Sequence, residues 1–206
     1  MRLWKRWTLL IAVTLVTLPL VADAAPLKIV KVNAPAVNCV FQASCTITVS
    51  DSTGVIPMPL LQTPGTVWMQ SRTFVGAAGT PAAGLRGYMY RLSMTQAAGF
   101  GECILGVVIN FGPVEPLPYQ QNTKAHVYVV TSGGLGTIGL KSAEQDGDVI
   151  AFAFAKPVCV PPAPSVSATT FFFGLASKGA PKATTASAYA FGNPPFYQFN
   201  VRAPAH

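Results

Sequence analysis

Glycine and proline punctuate this chain so regularly, 18 of each in 206 residues, that no stretch of it can run far as a helix. Between these breaks stand short runs rich in Val, Ile, Thr, Tyr and Phe, the residues that suit a pleated, half-buried surface. The punctuation therefore predicts many short strands joined by turns. Charged residues make up only 10% of the chain and hydrophobic ones 50%, the opposite of a disordered composition.

One segment stands outside that pattern. Arg2, Lys5 and Arg6 precede an apolar run over 7–21 that ends in Ala22-Asp23-Ala24, the arrangement of a secretory leader with a small-x-small cleavage site. The run is short and interrupted by Thr8, Thr14, Thr17 and Pro19, which argues against a membrane span, and no cysteine follows the cleavage site to carry a lipid. We therefore expect residues 1–24 to be removed and residues 25–206 to form one exported domain, secreted or periplasmic, with no stable membrane anchor. Without the leader, the 14 basic residues lose Arg2, Lys5 and Arg6 and the 7 acidic ones lose Asp23, leaving a net charge of +5. The remaining cations are scattered along the sequence, with no arm or stripe of the kind that nucleic acid requires. Attraction to an anionic polymer stays open.

Strands are expected over 27–32, 38–49, 67–75, 88–93, 103–111, 126–131, 149–155, 171–175, 188–191 and 196–201. Residues 51–54 and 144–148 read as turns, and 112–124, 132–139, 156–169 and 177–185 as loops. Prolines 57, 59 and 64 confine their stretch to an edge or a loop, and Pro194-Pro195 separates the last two strands. The expected fold is all-β: a single antiparallel β-sandwich of about eight to ten strands, reinforced by disulfides, behind a cleaved signal peptide. Export makes the four cysteines an oxidised framework. Four cysteines allow three connectivities; closeness in sequence favours Cys39 with Cys45, leaving Cys103 with Cys159 beside central strands.

Catalytic constellations are thin. After the leader there are only two histidines, His126 at the head of a strand and His206 at the end, and Ser132-Gly133-Gly134 is a turn and no nucleophile elbow. Glu102, Glu115, Glu144, Asp146 and Asp148 are the carboxylates from which a secreted hydrolase would draw an acid pair, yet most stand beside turns. The run from Glu144 to Asp148 has the alternating oxygen ligands of a calcium loop but lacks the rest of that pattern, and Asp-Gly before a strong strand is itself a hairpin signal. No catalytic residue, cofactor or metal ligand is assigned. Aromatic residues offer a stacking platform instead: Trp68, Tyr88, Tyr90, Tyr119, Phe196 and Tyr197, although alternation buries most of such residues. Phe171-Phe172-Phe173, and Phe196-Tyr197 with Phe199, must present rings to both faces of a sheet, which makes them candidates for an exposed apolar patch. Arg72, Arg86 and Arg91, near strand ends, are the cations to test for a polar contact, against their ordinary reading as solubilising charges.

Several phrases carry a family likeness: Gln70-Ser71-Arg72-Thr73-Phe74, Tyr88-Met89-Tyr90-Arg91, Phe111-Gly112-Pro113-Val114, residues 129–136, Pro157-Val158-Cys159 and residues 171–175. Together they make the chain resemble a group of exported bacterial domains of uncharacterised function, some of which carry membrane-sorting tails. The resemblance implies an extracytoplasmic β-rich domain and supplies no catalytic residues. The ending Arg202-Ala203-Pro204-Ala205-His206 departs from the tailed members, so membrane retention is not expected. The expected role is a non-enzymatic module binding a polysaccharide or an envelope or matrix protein, with a secreted hydrolase or a self-assembling surface or matrix subunit as the alternatives.

Overall fold

The computed structural model describes residues 24–59, 61–99, 101–120, 123–191 and 196–206. The leader expected over 1–24 lies outside the described residues except for Ala24, as does the Pro194-Pro195 break. The strands, in chain order, are β1 (Ala25–Pro26), β2 (Ile29–Asn33), β3 (Ser50–Val55), β4 (Trp68–Val75), β5 (Arg86–Ser93), β6 (Cys103–Asn110) and β7 (Leu117–Gln120). They continue as β8 (Thr123–Ala125), β9 (Val127–Ser132), β10 (Leu140–Asp146), β11 (Val149–Cys159), β12 (Phe172–Ser177), β13 (Pro181–Ala190) and β14 (Phe196–Pro204). One helix, α1 (Ala34–Phe41), stands among them. Within the described residues no helix is long and apolar enough to cross a membrane.

Most strands fall into two six-stranded sheets. One runs β1-β10-β11-β6-β13-β14 and the other β2-β9-β12-β5-β4-β3, while β7 and β8 form a separate hairpin. Pairing is antiparallel except between β2 and β9, which run parallel. Both sheets turn apolar side chains into one shared cluster: Val107, Ile109, Ile150 and Phe152 from the first meet Tyr90, Leu92, Phe173 and Leu175 from the second. At one side β3 and β14, the last strands of their sheets, approach so closely that a Cβ on Gly54 would lie 1.9 Å from the carbonyl oxygen of Asn200. Only glycine fits there.

The second sheet is buried on both faces. Its outer side chains Val30, Val32, Phe74, Met89, Tyr128, Val130 and Phe172 form a second cluster with Val37, Val40 and Phe41 of α1 and with Leu117, Tyr119 and Ala125 of the β7–β8 hairpin. This corrects the expectation that the Phe171–Phe173 run leaves an exposed patch: Phe173 belongs to the shared core, Phe172 to the outer cluster, and Phe171 packs half-buried against the core. The aromatic triplet has two interiors to fill.

The helix corrects the strand expected over 38–49. Asn33 caps it by accepting the Ala36 N–H at 2.9 Å, Pro35 stands at its start, and it ends after eight residues at Gln42 in an extended conformation. Residues 51–54 belong to a strand, not a turn, and β10 takes in Glu144, Gln145 and Asp146, leaving the turn to Gly147 and Asp148. Similarly β13 begins at Pro181, inside the stretch expected as a loop. These strands are polar because they lie at edges or point one face to solvent. With β1, β7 and β8, which are also not expected, β3 and β10 bring the strands among the described residues to fourteen.

Cys103 and Cys159 are direct cross-strand partners of β6 and β11 and form one disulfide; Cys39 at the end of α1 pairs with Cys45 in the strap that follows it.

Candidate binding site

Strand alternation decides what the second sheet shows on its outer face. In β4, Met69, Ser71 and Thr73 are buried on the core side, so Trp68, Gln70, Arg72 and Phe74 point outward. In β5, Tyr88, Tyr90 and Leu92 fill the core, which sends Met89 and Arg91 outward. Register then sets the neighbours: Gln70 stands opposite Arg91, and Asp51 of β3 opposite Arg72. Phe172 of β12 completes the group from the other side of β5.

Two arginines share one aromatic ring. The Cζ of Arg72 lies 5.0 Å from the centre of Phe172 and that of Arg91 lies 5.1 Å from it, with Trp68 a further 5.3 Å from Arg91. Their electrostatic situations differ. Arg72 is bound at both ends to Asp51, Nε to Oδ1 and Nη2 to Oδ2, each at 2.8 Å. That pair of hydrogen bonds holds the Asp51 carboxyl below the usual carboxylate range. Arg91 forms no ion pair among the described residues, and its Nε is buried without a hydrogen-bond partner. Burial, with the charge of Arg72 nearby, pulls the Arg91 guanidinium below its ordinary pKa.

Gln70 supplies the complement. Its Nε2 donates to Asp51 Oδ2 at 3.1 Å, which fixes the amide so that Oε1 faces away, and that oxygen is also buried without a partner. The residues that carry this donor and this acceptor are cross-strand partners. Both residues line a cleft of about 370 Å³ whose other walls include α1, Ile47 and Val49 of the strap after it, and Gly133, Gly134 and Leu135. The Cys39–Cys45 disulfide ties that strap to the helix. Burying two unmet polar groups on neighbouring residues is costly, and an ordered water or a ligand that reaches them relieves that cost.

Of the three arginines singled out from sequence, the structure brings Arg72 and Arg91 together and puts Arg86 at the other end of β5. Trp68 is at the site, whereas Tyr88 and Tyr90 are core residues whose hydroxyls donate to the carbonyls of Gly179 and Arg202. Tyr119 is buried against Tyr128, and Tyr197 is buried and donates to Glu102 Oε1 at 2.7 Å; Phe196 is exposed at the start of β14 and Phe199 is core. The carboxylates do not converge: Glu115 pairs with Lys178, Asp146 ends β10, and Asp148 lies in the turn. Among the described residues no three His, Cys, Asp or Glu side chains are grouped as metal ligands would be. His126 accepts the Lys28 N–H through Nδ1, and His206 lies against Asn110 and Asp148. Asp51 and the role of Gln70 were hidden from the sequence, Asp51 because its polar strand resembles a turn. A signal was present in the period-two series Trp68, Gln70, Arg72. No family model matches the chain, and no curated protein or solved structure is similar to it.

Proposed function

We propose that the chain is an exported, non-enzymatic binding module: a disulfide-reinforced β-sandwich that a signal peptide delivers to the periplasm or the exterior, where it holds an acidic group of an envelope or matrix polymer in the cleft beside Arg91. One observation carries this reading: Arg91 Nε and Gln70 Oε1 are both buried and unpartnered, on residues adjacent in register, with the Arg91 guanidinium stacked on Trp68 and Phe172. A ligand that offers an anionic acceptor and a hydroxyl donor side by side meets both at once, as a sugar acid does. Two disulfides and the resemblance to exported bacterial domains support delivery outside the cytoplasm.

The test is thermal unfolding of the oxidised protein with galacturonate and, separately, with galactose. Galacturonate at about 100 times its dissociation constant adds about 2.7 kcal/mol, a rise of roughly 5 to 11 °C for a chain of this size. Galactose, which lacks the carboxylate, leaves the midpoint unchanged, and the Arg91→Met variant loses the galacturonate response. Equal shifts with both sugars, or an undiminished shift in the variant, rule the reading out.

A further inference from the structure

Three of the cations that look scattered in sequence meet in space. A second and larger groove, about 790 Å³, opens at the meeting of the two sheets, and Arg86, Lys182 and Arg202 line it with no carboxylate among its walls. These three come from β5, β13 and β14, so only the fold assembles them. None forms an ion pair among the described residues; Arg202 Nη1 donates to the Ser50 hydroxyl at 2.7 Å. Three like charges on one concave surface repel one another and focus a positive potential into the groove.

The groove and the Arg91 cleft are neighbours. Val49 of the strap lines both. We infer that the ligand is an acidic polysaccharide with carboxylates on successive sugars, one sugar acid seated at Arg91 and the chain continuing past Val49 into the Arg86, Lys182 and Arg202 groove. This inference rests on the reading of the Arg91 cleft and adds the polymeric nature of what fills it. Sugar acids suit the cleft because it asks for a donor as well as an anion, and the groove adds affinity by holding further carboxylates of the same chain at high effective concentration.

The experiment compares galacturonate, a short oligogalacturonate and polygalacturonate by calorimetry, in the wild type and in Arg86→Gln/Lys182→Gln, which spares Arg202 and its bond to Ser50. The wild type binds the longer chains at least tenfold more tightly per chain than the monomer, and this gain shrinks as salt rises. The double variant keeps the monomer affinity and loses the gain. If the monomer fails to bind at all, the reading of the Arg91 cleft falls. If it binds but length brings no gain, or the gain survives in the double variant, the second groove is not part of the site. An equal gain with inorganic polyphosphate, which brings charge without a sugar, overturns the assignment to sugar acids.

Discussion

Arg91→Met and Arg72→Met remove the same charge from the same ring and should have different effects on stability. At Arg91 the folded protein carries a buried Nε with no partner, an unfavourable term of about 1–3 kcal/mol. Against it stand two stacking contacts, on Trp68 and Phe172, each contributing about 0.5–1 kcal/mol. Methionine restores part of that contact through its sulfur and stem. The net change should lie within about 1 kcal/mol of zero, a midpoint shift of no more than about 4 °C in either direction. At Arg72 two charge-assisted hydrogen bonds to Asp51 are lost. Because the Asp51 side chain is 39% exposed, solvent takes up much of the freed charge, and the loss is about 1–2 kcal/mol, or roughly 2–8 °C. Urea and thermal denaturation of the oxidised proteins, with unchanged m values, measure both. A loss at Arg91 as large as that at Arg72 would refute the reasoning, since it would make Arg91 a structural strut instead of a group held in reserve for a ligand.

Asp51→Asn should flatten the acid limb of stability. Arg72 holds the Asp51 carboxyl low, so its contribution is present above the ordinary carboxylate pKa of about 3.9 and is lost as pH falls through the lower folded value; urea midpoints taken on the acid side of neutrality read this directly. Burial pushes the Tyr88 phenol up to about 12, so the stabilisation is complete below the ordinary tyrosine pKa of about 10 and lost as pH rises from there towards 12. Tyr88→Phe, which also gives up the 2.7 Å bond to Gly179, should lose about 1 kcal/mol at neutral pH and show a shallower alkaline limb. Replacing Cys103 and Cys159 with alanine should lower stability by about 4 kcal/mol and replacing Cys39 and Cys45 by about 2.4 kcal/mol on the chain-entropy model, with galacturonate affinity falling only in the second pair, which ties the helix to the strap whose Ile47 and Val49 wall the cleft.

The strongly apolar strands were legible because burial on a sheet leaves its period in the sequence: β4, β5, β6, β9, β11 and β12 all lie where alternation or continuous apolar runs place them. Polar β3 and β10 were not: β3 is an edge strand whose Asp51-Ser52-Thr53-Gly54 has turn chemistry, and β10, covered only by the two-residue β1 on one side, turns alternate polar residues to solvent. The helix was hidden by its length and its Val, Cys and Phe, which favour strands; packing against the outer face of the second sheet, not propensity, holds it. Strand β11 runs through Pro157 because the register shifts between Ala153 and Val158, where a missing N–H is tolerated. For the site, the outward aim of Arg72 and Arg91 follows from alternation with buried neighbours. Their meeting over Phe172 does not, because it depends on β12 inserting beside β5 from about eighty residues downstream in the chain.

That insertion governs when the molecule can form. Strand β2 lies parallel to β9, far along the chain; β5 has β4 beside it by a local hairpin but takes its second neighbour from 172–177; and the hydroxyl of Tyr90 is met by the carbonyl of Arg202. The second sheet is complete only with β12 and the first only with β14. Folding is therefore governed by loop closure over long separations and should be slow for a chain of this size, with the β3-β4-β5 meander free to form before the rest.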